Sequence, residues 1–148
     1  MTAQYTFVMK DLRKLVPQSD LFQMLDGICH YDHEQRVVVG FKDWPKDAWW
    51  AKGHIPGKPL MPGVLMIEGA AQAATFLINK TMGWEGERMI GLGGLNDVRL
   101  RGQVVPPARV YFVSARGQVS GTRLARFPAQ AFCNGQMILD MELLGVLL

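Results

Sequence analysis

Apolar positions follow three regimes along this chain: a helical spacing near the start, one long stretch with hardly a polar residue, then a series of β-prone segments. Between Pro59 and Asn79 the only charged residue is Glu68. A surface helix carries charges along a whole face, so the pattern predicts a helix from Val64 to about Met82 that is buried on nearly all sides. Its few polar residues, Glu68, Gln72, Thr75 and Asn79, fall at i, i+4, i+7 and i+11 and so share one narrow stripe. Gly83 supplies a C-cap.

The segments around that helix read mainly as strands. Residues 5 to 15 place Phe7, Val8, Leu12 and Leu15 at helix-compatible spacing, which predicts a short N-terminal helix stopped by Pro17. Leu21 to Tyr31 reads as a turn entering a first strand, Asp32-His33-Glu34-Gln35 as a polar turn, and Arg36 to Lys42 as the second strand. Beyond the long helix, Trp84 to Arg88 reads as a loop. Met89 to Leu100 reads as a third strand whose Gly91, Gly93 and Gly94 allow a bulge or a close backbone approach. Arg109 to Ser120 is a long β-prone segment, Gly121-Thr122 a turn, and Leu124 to Cys133 another strand in which Pro128 marks a bulge or an edge. Asn134-Gly135 is a two-residue hairpin signal leading into Gln136 to Leu147. One apolar helix followed by consecutive hairpins predicts an α+β architecture, an antiparallel sheet wrapped around a central helix. A length of 148 residues suits a single domain, 1–148.

The chemistry concentrates just ahead of that helix. Pro56, Pro59 and Pro62 recur every third residue in the loop from His54 to Gly63. They fix φ three times and hold each preceding residue out of the helical region, so the loop is rigid before any ligand arrives. His54 opens the loop, fourteen residues ahead of Glu68. A lone carboxylate on an apolar helix is costly unless it is paired or used, and an imidazole beside a buried carboxyl makes a base and acid pair near neutral pH. Gly63 and Val64 lie at the helix N-terminus, where free backbone N–H groups and the positive dipole end could polarise a carbonyl oxygen. Alone, His54 reads as a structural loop histidine and Glu68 as a carboxylate reaching solvent; together at this spacing they favour catalysis. Gln72, one turn beyond Glu68, either orients that carboxyl or bonds a backbone group.

Composition narrows the setting. With 49% hydrophobic and 20% charged residues the chain reads as soluble and globular. The longest apolar run, Val64 to Ile78, is interrupted and too short to span a bilayer, and the first residues carry no export signal. Cys29 and Cys133 show no pairing pattern, which predicts a reduced, cytoplasmic protein. A net charge of +3 suits an acidic protein partner as well as a nucleic acid, but no basic and aromatic residues interleave as nucleic-acid binding requires. Cys29-His30-x-x-His33 lacks a second ligand pair, so no metal site is expected. Trp44, Trp49 and Trp50 either cover the edge of the core or wall a pocket or subunit contact.

The stretch Gly53-His54-x-Pro56-Gly57-x-Pro59-x-x-Pro62-Gly63-Val64-Leu65-x-x-Glu68-x-x-Ala71-Gln72 resembles the signature of the 3-hydroxyacyl-acyl-carrier-protein dehydratases of bacterial fatty-acid synthesis. A weaker similarity extends over Leu15-Val16-Pro17, Asp97 to Arg101 and Val104-Val105-Pro106. The resemblance implies a hotdog fold and dehydration of (3R)-3-hydroxyacyl thioesters to trans-2-enoyl thioesters, without a cofactor. It implies His54 and Glu68 as the catalytic pair, contributed by different subunits of a homodimer that can assemble further into a hexamer, and Gly63, Val64 and Gln72 as substrate-binding. It also implies acyl carrier protein as partner. Arg99 and Arg101 then contact either water or the acidic carrier and its phosphopantetheine arm. Pro17-Gln18-Ser19-Asp20 replaces the family's Pro-His-Arg, and Ile55 its phenylalanine, both near the expected pocket. The depth of the acyl site is expected to follow the packing around Phe76 and the tryptophan loop. The competing readings are a hotdog thioesterase and a catalytically silent acyl-binding protein.

Overall fold

Apolar stretch and glycine stop together define the helix α1, Gly63–Met82, in the computed structural model, which describes residues 7–8, 12–84, 88–121 and 123–148. Pro62 precedes it with φ −59°, and Gly83 closes it in the left-handed conformation, φ 68°. There Trp84 N–H donates to Asn79 O at 2.9 Å and Gly83 N–H to Lys80 O at 3.4 Å, a Schellman ending that satisfies the last carbonyls.

Around α1 the described strands are β1 (Phe7–Val8), β2 (Gly27–Asp32), β3 (Val37–Trp44), β4 (Ile90–Leu100), β5 (Ala108–Ala115), β6 (Gln118–Ser120), β7 (Leu124–Cys133) and β8 (Gln136–Leu147). They form one antiparallel sheet in the order β1-β2-β3-β5-β7-β8-β4, with β6 beside β7. The helix lies across β3, β5 and β7. It approaches closely because its sheet-facing positions are small: Gly69, Ala70, Ala73 and Ala74 are all buried. A Cβ at Gly69 would stand 2.3 Å from the ring of Phe112 on β5. This sheet around a central helix is the hotdog arrangement.

Local signals mostly land where the residues place them. Asn134 (φ 51°) and Gly135 (φ 75°) make the two-residue turn that pairs Cys133 with Gln136. Pro128, which has no N–H to give, sits where one flank of β7 changes partner, from β6 at Arg126 to β5 at Ala129. The register of β4 shifts twice, between Leu92 and Gly94 and between Asn96 and Arg99. The segment from Arg109 to Ser120 divides into β5 and β6 around Arg116 (φ 52°) and Gly117. The loop expected at Trp84 to Arg88, like Thr122 of the expected turn, lies partly outside the described residues.

The start of the expected N-terminal helix needs correction. Phe7 and Val8 form β1, paired with Ile28 and Gly27. Residues 9–11 lie outside the description; Leu12 is helical, and a turn follows in which Val16 N–H donates to Leu12 O at 2.7 Å. Tertiary packing outweighs spacing here: the Phe7 ring meets Phe76 of α1 at 5.5 Å, and adding a strand to β2 brings it there.

Candidate active site

The polar stripe of α1 straps the N-terminal segment onto the helix. Asn79 Nδ2 donates to Leu15 O at 2.7 Å. Gln72, 1% exposed, accepts from Met24 N–H at 3.0 Å through Oε1 and donates through Nε2 to Phe22 O at 2.7 Å and Glu68 Oε1 at 2.9 Å. The backbone donor at Met24 identifies which end of the amide is oxygen, so Nε2 necessarily faces Glu68. Thus Gln72 does both things its position suggested: it orients the carboxyl and it bonds the backbone. Thr75 turns its hydroxyl back to Ala71 O at 2.9 Å.

Glu68 is half-buried and borders a cavity of about 110 Å³ between α1 and the ends of β4, β7 and β8. Gln72 and Thr75 continue its polar wall, Ala71, Ile78, Phe127 and Leu143 its apolar one, and Gln18 stands at its side. Outside it a wider groove of about 890 Å³ shares Gln18, Thr75, Ile90, Gly91 and Leu92 and carries Arg13, Lys14 and Arg88. A carboxyl with one oxygen committed to an amide, standing on a cavity wall, can exchange a proton with a ligand there.

His54 stands on the exposed proline loop. Its backbone N–H donates to Trp50 O at 3.0 Å, and Nδ1 lies 2.7 Å from Leu60 O. A carbonyl can only accept, so Nδ1 carries a hydrogen there and Nε2 is the ring nitrogen left for a proton transfer. Met61 N–H bonded to Val104 O at 3.0 Å, and Lys58 N–H to Ile55 O at 2.9 Å, hold the rest of the loop. Gly63 and Val64 open α1, and Pro62 offers no side-chain cap to their N–H groups. Val64 is 71% exposed.

Within one chain, then, the fold joins Glu68 with Gln72 and keeps His54, Gly63 and Val64 out of that cavity wall. No hydrogen bond or ion pair links His54 to Glu68 among the described residues. The free edge of β4 lies nearby. Among the described residues it pairs only with β8, and Leu92, Leu95, Val98 and Leu100 are exposed along it. The side chain of Leu100 already covers Gly63, where a Cβ would meet it at 2.5 Å.

Two of the three tryptophans cover the core. Trp44 and Trp50 are buried edge to face at 5.4 Å, while Trp49 is half-exposed. Arg101 pairs loosely with Asp140 at 3.8 Å on the surface, and Arg99 is exposed. His33 Nδ1 is bonded to Tyr31 Oη at 2.8 Å. Burial pushes the Tyr31 hydroxyl and the Cys29 and Cys133 thiols up, favouring their protonated forms. Sequence reasoning did not reach Phe127 and Leu143 as cavity residues; their inward places in the alternation of β7 and β8 were the available signal.

Comparison with known proteins bears on the family and the fold. The model of the FabA-like domain matches residues 16–142. The 3-hydroxyacyl-acyl-carrier-protein dehydratase FabZ of Chlamydia trachomatis serovar L2 is 33% identical over 139 residues, 93% of this chain and 90% of the relative. The same enzyme of Sinorhizobium medicae is 30% identical over 134 residues, 90% and 85% of the two chains. Among solved structures, the dehydratase heterocomplex ApeI:P from Xenorhabdus doucetiae superposes with a TM-score of 0.73, covering 91% of this chain and 89% of that one at 14% identity. The uncharacterized protein PH1136 from Pyrococcus horikoshii gives 0.63 at 12% identity, covering 100% and 95%. These two likenesses speak for the fold alone. Among the described residues no helix is long and apolar enough to cross a membrane.

Proposed function

Because the chain belongs to the FabA-like family, and to its branch of 3-hydroxyacyl-acyl-carrier-protein dehydratases, it removes water from 3-hydroxyacyl thioesters, and we propose that His54 and Glu68 carry the reaction. Nε2 of His54 takes a proton from C2, which the thioester carbonyl acidifies. The C2–H electron pair becomes the second C2–C3 bond, the C3–O bond breaks, and Glu68 donates the proton with which the hydroxyl leaves as water. The Gly63 N–H, at the positive end of α1, holds the thioester oxygen as charge builds on it, and Val64 flanks the thioester. Gln72 keeps Glu68 Oε1 occupied, so the proton transferred is the one on the other oxygen. No step calls for a metal or an organic cofactor.

The observation that carries this reading is the held carboxyl of Glu68 on a cavity wall of small and apolar side chains. Its natural complement is the fixed tautomer of His54 on the neighbouring loop. We place the two in one site across a homodimer. The unpaired apolar edge of β4, with exposed Val64 beside it, supports such a contact because an edge of this kind seeks a partner. The substrate arrives on acyl carrier protein, whose acidity suits a chain with net charge +3. We set this chemistry in the cytoplasm, where Cys29 and Cys133 remain free thiols.

Hydration of a crotonyl thioester, followed at the enoyl absorbance, tests the assignment. The wild type turns over, and His54→Ala and Glu68→Gln each lose about 100-fold or more, the range for removal of a general acid or base. A wild type that forms folded dimers yet leaves crotonyl thioesters of both acyl carrier protein and coenzyme A untouched overturns it.

A further inference from the structure

Three cavities follow one another along the cavity face of α1, and they meet at a single side chain. The first, about 110 Å³, begins at Glu68. The second, about 190 Å³, is bordered by Thr81 and Met82 at the far end of the helix and by Gly117. The third, about 20 Å³, lies against Trp84 and Leu147. Ile78 borders all three, and Phe127 stands between the first and the second. Glu68 and Ile78 are ten residues apart on α1, so the first space runs about 15 Å along the helix axis at the α-helical rise.

Both dividing side chains are fixed. Ile78 and Phe127 are each 4% exposed. The Phe127 ring occupies the place a side chain at residue 117 would need, for a Cβ there would fall 1.7 Å from it. A Cβ at Gly145 would find Ile90 at 3.2 Å and Ile78 at 3.7 Å, so the passage past Ile78 is narrow on that side too. Phe76 is turned away, fully buried against Phe7 and Tyr31 at 5.5 and 5.7 Å, and borders none of these three cavities. Depth therefore depends on the isoleucine two residues later.

We propose that Ile78 and Phe127 form the end wall of the acyl site and set its chain-length preference. Short and medium acyl chains end against them, and longer ones are refused because the two side chains close the way to the space beyond. This rests on the dehydratase reading, since it takes the chain to enter from the Glu68 end. The wall is apolar, as an alkyl end requires, and the unfilled volume behind it means that trimming either side chain lengthens the site rather than merely loosening it.

The test compares trans-2-enoyl thioesters from crotonyl to hexadecenoyl on one carrier, reading the long-to-short ratio of kcat/KM. Ile78→Val and Phe127→Leu remove only part of each side chain, so the fold survives. Each is expected to raise the ratio about tenfold or more, the scale on which an apolar pocket discriminates a methylene. Gly145→Ala, which narrows the passage, is expected to lower it. Ratios that stay at the wild-type value in all three variants overturn the proposal. Thermal shifts with saturated acyl thioesters of the same lengths give the ranking without turnover. A wild type that hydrates nothing therefore counts against the dehydratase reading, while the ranking by thermal shift still decides the wall.

Discussion

Gln72 and Glu68, one helical turn apart, share a 2.9 Å hydrogen bond whose direction is dictated from outside the helix by the N–H of Met24. A glutamine in an apolar helix thereby holds the carboxyl proposed to transfer a proton. Gln72→Leu keeps most of the volume and removes every polar contact. It orphans the buried Met24 N–H, at about 1–3 kcal/mol, removes the donor to the partly buried Phe22 carbonyl, and leaves Glu68 free to rotate. Urea unfolding should show the stability loss. The turnover number should fall by up to about 100-fold, as misplacement of a reacting group does, with KM changing less. A variant as active and as stable as wild type would remove Gln72 from the account.

The contact between α1 and β5 is the tightest of the helix on the sheet. Gly69→Ala would press a methyl into the ring of Phe112, where the nearest carbon stands at 2.3 Å. Overpacking of this kind costs about 1–3 kcal/mol, although alanine is otherwise the better helix former. The double variant Gly69→Ala with Phe112→Leu should recover part of that loss in a double-mutant cycle. Additive losses would mean that the two residues do not compete for the same space.

Asp43 and Arg109 form a two-pronged pair across β3 and β5, at 2.7 and 2.8 Å, with the guanidinium over the Phe41 ring at 4.5 Å. The hydrogen bonds from Arg109 hold the Asp43 carboxyl below its usual range. A depressed folded-state value means that the stability it contributes is present above the unfolded carboxylate's pKa and is lost as pH falls through the folded one. Both side chains are about half exposed, so the contribution is small and screened by salt. The difference in urea midpoint between wild type and Asp43→Asn should be constant near neutral pH and shrink below the carboxylate range. A difference that grows in acid would contradict this.

Legibility in the sequence followed how local each determinant is. The bounds of α1 and β8, the Asn134-Gly135 turn and the stop at Gly83 rest on residues within a turn of one another, and they fall where those residues place them. The joining of Gln72 to Glu68 was readable for the same reason, since four residues on a helix are neighbours. Phe7 and Val8 went the other way: their spacing suits a helix, but the chance to pair with Gly27 and Ile28 and pack on Phe76 lies far along the chain. Phe76, Ile78 and Phe127 show the same limit. All three are apolar in apolar runs, and only the assembled sheet distinguishes the one that packs on Tyr31 from the two that close a cavity.

No hydrogen bond or ion pair joins His54 to Glu68 among the described residues of one chain, and a site shared across a dimer makes a prediction that a site within a chain does not. His54→Ala and Glu68→Gln homodimers are each expected to be inactive. When the two variants are unfolded, mixed in equal amounts and refolded, half the dimers should be mixed. Each mixed dimer then holds one site with both residues altered and one with both intact. Activity should return to roughly a quarter of wild type, as two-fold symmetry requires for random pairing. If histidine and glutamate of the same chain worked together, every site in the mixture would still lack one of them and no activity would return. Sedimentation of the refolded mixture, showing dimers or larger even-numbered assemblies, separates that outcome from a simple failure to reassemble.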